Sequence, residues 1–197
     1  MGLRTFSGRA ASQNEFELEG FVNFMLENQL YRYCEIGARH GDTFHHVMSK
    51  LTQDRAFGLA VDLPNGKWGT SHSGLYLDRA IHNLRERARV VDYVLGDSTD
   101  EAVIQQVQAQ APFDMLLIDG DHRYEGVSQD FRNYATMSKY VAFHDIAGFN
   151  QTTRTPERLP VQVPKFWEEI RQKFKHWEFI ATGSTMGIGI LSMEDSK

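Results

Sequence analysis

Short apolar runs alternate with amphipathic stretches along most of this chain, and several of the runs stop at a glycine or an acid. Tyr31–Ile36, Ala56–Leu63, Arg89–Leu95, Phe113–Ile118 and Tyr140–Phe143 are brief and apolar, which is the pattern of strands buried on both faces. Between them lie segments with helical spacing. Gly41-Asp42-Thr43 opens one in which Phe44, Val47, Met48 and Leu51 share a face. A polar helix runs to about Arg87 after a Gly-, Ser- and His-rich loop from Pro64 to Gly74. Ser98-x-x-Glu101 reads as a capping box ahead of Val103, Ile104 and Val107, and Tyr124–Met137 turns Val127, Phe131 and Tyr134 inward. Strands that alternate with helices form a parallel sheet covered by helices on both faces.

The ends of the chain add detail. A helix is expected over 14–30, with Phe21, Val22, Met25 and Leu26 on one side, preceded by a mobile segment over 1–13. A long loop runs from Ala147 to Val163. Pro164 then starts a helix with Phe166, Trp167, Ile170 and Phe174 on its apolar side. Two last strands, Trp177–Ala181 and Met186–Leu191, are separated only by Thr182–Thr185, which is too short for a crossover and suits a hairpin. The expectation is a seven-stranded, mostly parallel sheet with an antiparallel last strand, in one domain over 1–197.

Composition excludes several partners. The chain has 197 residues, enough for one core, and a formal net charge of -5 with no run of Lys and Arg. A duplex nucleic acid or an anionic membrane is not the expected partner. No segment is long and apolar enough to span a bilayer, and no apolar signal core opens the chain, so the expected compartment is the cytoplasm. The lone Cys34 sits in an apolar run and reads as a buried, inert thiol. Nothing in the sequence speaks to the oligomeric state.

Ligands of open α/β sheets bind beyond the carboxyl ends of the strands, and the chemistry-bearing residues gather there. The first strand ends Glu35-Ile36-Gly37-Ala38-Arg39-His40-Gly41, a loop whose backbone can approach a ligand and whose next helix offers N–H groups. The second ends in Asp62, 21 residues after Gly41, where a carboxylate can accept from both hydroxyls of a ribose. The third ends Gly96-Asp97-Ser98: Asp97 can accept from an adenine amino group, and the backbone after it can read a ring nitrogen. The fourth and fifth end Asp119-Gly120-Asp121-His122 and His144-Asp145, so Asp119 and Asp145 converge if these strands are neighbours. Two roles are open there. His122 or His144 can act as a general base, or Asp119, His144 and Asp145 can hold a divalent metal. The loops over 64–74 and 147–163 add Lys67, Trp68, His72, Arg154 and Arg158 as candidate substrate contacts.

These segments carry a resemblance. EIGARHG, AVDL and LGDS resemble the first three motifs of class I methyltransferases that use S-adenosylmethionine (SAM), over residues 30 to 192. The resemblance implies a Rossmann-like fold and SAM as cofactor, with Glu35 and the Gly37 backbone near its methionine part and Ala38 and Gly41 also at the cofactor. Asp62 would hold the ribose, Asp97 and Ser98 would lie at the adenine, and Asp119 would also border the cofactor. Arg39 stands where the commoner pattern has a third glycine. IDGDHRYEGV and YVAFHDI resemble a branch that includes sugar O-methyltransferases, with catechol-type enzymes as more distant relatives. Many of these use magnesium, which would place a metal at Asp119 and Asp145. His144 occupies a place where the relatives carry an acid, and His122 matches the position of a lysine base. The implied activity is O-methylation of a small hydroxylated molecule. Two other classes stay open: a SAM-binding or hydroxylase-like relative that transfers no methyl, and a nucleotide-binding interaction module.

Overall fold

The computed structural model describes residues 13–66, 72–149, 151–152 and 158–196. The expectations for residues 1–12, Lys67, Trp68 and Arg154 fall outside them. The main sheet is built from β1 (Arg32–Ile36), β2 (Phe57–Asp62), β3 (Val90–Leu95), β4 (Phe113–Ile118), β5 (Ser138–His144), β8 (Phe174–Phe179) and β9 (Ile188–Ser196). Among the described residues it has seven strands in the order β3-β2-β1-β4-β5-β9-β8. β1 through β5 pair in parallel, and β9 lies antiparallel between β5 and β8. The expected mixed sheet is therefore observed, and the strand order reverses between β1 and β4.

Period-two alternation sends neighbouring side chains to opposite faces. Tyr33, Ala60, Met115 and Leu117 face α1 (Glu15–Glu27), α2 (Asp42–Lys50) and α3 (Ser73–Glu86). Cys34, Ile36, Leu59, Val61, Leu116 and Ile118 face α4 (Glu101–Gln108), α5 (Tyr124–Tyr134) and α6 (Val163–Ile170). Cys34 is fully buried, and burial pushes its thiol well above the ordinary range, as an inert core cysteine requires. Trp167 fills the second core and donates its indole N–H to Glu178 at 2.6 Å.

Four local expectations are corrected. α1 stops at Glu27 rather than at residue 30, because Asn28 caps it and Gln29 takes φ 56°. The capping box does not form. Asp100 is the N-cap of α4, and the Ser98 hydroxyl donates to Asp130 Oδ1 at 2.7 Å, a buried partner 32 residues away. Phe174 opens β8 instead of extending the helix before it. The loop over 147–163 contains a two-stranded antiparallel ladder, β6 (Gln151–Thr152) with β7 (Pro160–Val161). Among the described residues, no helix is long and apolar enough to cross a membrane.

Candidate functional site

The turn after β1 lies against the turn after β4, at the point where strand order reverses. Asp119 N–H donates to Ile36 O at 2.8 Å, and Gly37 N–H donates to Val61 O at 2.8 Å. Gly37 has φ +90°, and a Cβ there would stand 2.5 Å from both the Asp119 carbonyl carbon and Gly120 Cα. Only glycine allows this approach, so the β1 loop and the base of the β4 rim form one surface. Ala38 is buried, and Gly41 caps α2 with φ 77°.

Asp62 closes the next side. Its Oδ1 accepts the Arg39 N–H at 2.8 Å, while Oδ2 is buried without a well-directed hydrogen bond. Burial pushes this carboxyl up, against the pull of the Arg39 N–H and the Ser73 hydroxyl. Arg39, at φ 51°, adopts the left-handed backbone that glycine usually supplies at such a place, and its side chain points into solvent. The side chain therefore leaves the loop's inner face clear. Asp97 Oδ1 accepts from both the N–H and the hydroxyl of Thr99 at 2.9 and 2.7 Å, which ties the β3 turn. The Ser98 hydroxyl is turned inward, so a contact from this residue to a ligand would fall to its backbone. Glu35 is buried beneath the loop, where the Tyr33 hydroxyl donates to it at 2.7 Å. Burial pushes its carboxyl up to about 8 although that hydrogen bond pulls the other way.

β4 and β5 bring the four rim residues together. His122 Nδ1 lies 2.8 Å from Asp145 Oδ2, and its Nε2 lies 3.9 Å from Asp119 Oδ1. His144 Nδ1 is 3.2 Å from Asp119 Oδ1 and 3.4 Å from Asp145 Oδ1. Asp145 reaches this place with φ 60°. The His122 loop is fixed by its carbonyl, which accepts from Gln162 N–H at 2.7 Å. Burial opposes charge on His144, but Asp119 and Asp145 outweigh it and push the imidazole up to about 10. Burial likewise opposes charge on His122, which its hydrogen bond to Asp145 and the charge of Asp119 raise. Asp145 is lowered, because the two histidines more than offset its burial. Neither ring nitrogen of His144 makes a well-directed hydrogen bond. One ligand atom each from Asp119, His144 and Asp145 falls within 4.8 Å of the others, a spacing one cation can span.

Three residues at this site carry no motif. Gln13 Nε2 donates to Asp119 Oδ2 at 3.1 Å. Glu17, fully buried, accepts from the backbone N–H groups of Ala181 and Gly187, both at 3.0 Å. Asp130, 1% exposed, has one oxygen on Ser98 and the other without a partner, and burial pushes it up to about 7. Glu17 and Asp130 had a readable signal: each is an acid on an otherwise apolar helical stripe, beside Phe21 and Phe24 or Val127 and Tyr134. Of the loop candidates, His72 sits at the start of α3 and Arg158 is exposed.

A methyltransferase-domain family model matches residues 34–146, which span the β1 loop through the end of β5. The chain belongs to this family. Its fold is shared by a Staphylococcus aureus protein assigned as a caffeoyl-CoA O-methyltransferase, at TM-score 0.68 and 13% identity over 92% of this chain and 85% of that one. It is also shared by the O-methyltransferase TomG of Streptomyces achromogenes, involved in tomaymycin synthesis and solved with SAM. That match has TM-score 0.63 and 13% identity over 95% and 84% of the two chains. An O-methyltransferase from Bacillus cereus, solved with SAH, matches at TM-score 0.64 and 13% identity over 93% and 84%. A search of curated proteins finds no match to the sequence. Fold and family together are those of a SAM-dependent methyltransferase.

Proposed function

We propose that this chain transfers the methyl group of SAM to a hydroxyl of a small molecule. The observation that carries the reading is the convergence of Asp119, His122, His144 and Asp145 on one rim, directly beside the Gly37 loop. The cofactor side fits SAM. Asp62 Oδ2 is a buried acceptor without a well-directed hydrogen bond, which a ribose hydroxyl could supply, and Gly37, Ala38 and Gly41 lie in the loop above the buried Glu35, where the methionine part would lie. Asp97 and the Ser98 backbone would border the adenine.

The reaction breaks the sulfur–methyl bond, forms an oxygen–methyl bond and leaves a neutral thioether, so the hydroxyl proton must go to the protein or to water. Both histidines are raised by the two carboxylates, and His144, pushed up to about 10, is a poor proton acceptor as it stands. That favours the metal-assisted reading over a bare histidine base. Asp119, Asp145 and His144 would hold the ion, and the under-bonded His144 nitrogens fit that donor set. A bound divalent cation would lower the pKa of the acceptor hydroxyl. One imidazole beside two carboxylates suits Mn2+ better than Mg2+, which prefers an all-oxygen shell. His122, held at Nδ1 by Asp145 Oδ2 with Nε2 towards Asp119, would be the side chain placed to receive the hydroxyl proton.

The test is calorimetry with SAM, followed by detection of SAH against a panel of hydroxylated acceptors with EDTA, Mn2+ or Mg2+. Acceptor-dependent SAH formation that EDTA abolishes supports the reading. SAM binding with no turnover on any acceptor would point instead to a binding protein of the same fold. Failure to bind SAM would remove the proposal.

A further inference from the structure

The residue just ahead of the N-terminal helix reaches the rim of the site. Gln13 and Asp119 are 106 residues apart, yet the glutamine amide donates to Oδ2 of the aspartate at 3.1 Å. Gln13 is only 9% exposed. It immediately precedes Asn14, the N-cap of α1, whose side chain accepts the Phe16 N–H at 2.9 Å, so the chain is anchored from the next residue onward. One turn later Glu17 holds the backbone N–H groups of Ala181 and Gly187. That same hairpin accepts from the segment just after Asp145, through Ala147 N–H to Met186 O at 2.7 Å. The helix is therefore bolted to the structure that carries Asp145, while the residue just before its N-cap touches Asp119.

Resting on the reading given above, we propose that Gln13 is a positioning residue for Asp119, fixing Oδ2 so that Oδ1 faces His144 and the place for a divalent cation. The residue type suits this task. A neutral amide donor orients a carboxylate without cancelling its charge. A lysine or arginine there would repel a cation, and an apolar side chain would leave Oδ2 undirected. Asp119 Oδ1, the oxygen Gln13 does not touch, is the one 3.2 Å from His144 Nδ1 and 3.9 Å from His122 Nε2. Loss of a partner of this outer kind typically costs about 10–100-fold in metal affinity.

Mn2+ binding to the full chain without SAM, measured by electron paramagnetic resonance, tests the proposal. SAH affinity and thermal melting are recorded on the same samples. Gln13→Leu should weaken Mn2+ binding by roughly 10–100-fold. SAH affinity should hold, and melting should fall by roughly 3–12 °C, the cost of one lost hydrogen bond to a carboxylate in a chain of this length. Gln13→Asn, one methylene shorter, should fall between the two, and it decides the matter if the leucine variant does not fold. Mn2+ affinity within twofold of the parent in the variants would overturn the role of Gln13 alone. A parent protein that binds SAH but no Mn2+ would overturn this proposal together with the cation reading, and leave the cofactor assignment standing.

Discussion

Gly37→Ala should damage both the stability and the site of this protein, and Gly183→Ala separates the two causes. Both glycines have positive φ, +90° and +76°. At Gly183 a new Cβ would meet nothing within 4 Å, so the backbone cost stands alone, about 1–2 kcal/mol for an L-residue in left-handed geometry. At Gly37 the same Cβ would lie 2.5 Å from the Asp119 carbonyl carbon and Gly120 Cα, which are backbone atoms with no rotamer to escape into. Relief requires the β1 and β4 turns to separate, straining the 2.8 Å bond from Asp119 N–H to Ile36 O. Overpacking of this kind adds about 1–3 kcal/mol. The expected losses are therefore about 2–5 kcal/mol for Gly37→Ala against about 1–2 for Gly183→Ala. Urea unfolding with unchanged slope measures both. Because the shift displaces Asp119, Mn2+ affinity should fall in the first variant only. Equal losses in the two variants would refute the claim that the β1 and β4 turns are packed too closely for a side chain.

Further outcomes follow from other residues. Asp62→Ala should weaken SAM binding by about 1.5–3 kcal/mol in calorimetry, since it removes a charged acceptor; unchanged affinity would count against the ribose assignment. Asp119→Asn and Asp145→Asn should each lower Mn2+ affinity more than His122→Gln does, and equal effects would argue that His122 is itself a ligand. Asp130 is raised from 3.8 to about 7, so the protonated form favours folding. The resulting stability is fully present below pH 3.8 and is lost as pH rises through about 7, a span worth roughly 4 kcal/mol. Asp130→Asn should flatten the difference in unfolding free energy between pH 5 and pH 8, and a variant with the parent's pH slope would exclude Asp130 as its source. Trp167→Ala should cost about 3–5 kcal/mol by chemical denaturation, as expected for a fully buried indole; a loss under 1 kcal/mol would mean the second core collapses around the gap.

The strands β1 to β5, the parallel sheet and the closing hairpin are legible in the sequence because they rest on local periodicity. Apolar runs of four to eight residues and the short Thr182–Thr185 link permit few alternatives. The placement of Glu35, Gly37, Asp62, Asp97, Asp119, His122, His144 and Asp145 at the strand ends is legible for a related reason: an open α/β sheet places strand ends on one rim whatever lies between them. Tertiary structure decided the rest. Nothing near Gln13 announces a partner 106 residues on, and the local capping pattern at Ser98 lost to Asp130, which only folding brings within 2.7 Å. The left-handed backbone of Arg39 preserves a turn that its residue type alone would not suggest. The charge state of His144 likewise depends on two carboxylates, one from a neighbouring strand end, gathered where burial strengthens them. Periodicity is a property of adjacent residues, whereas hydrogen-bond partners and electrostatic environment arise only when distant segments share a small volume from which water is excluded.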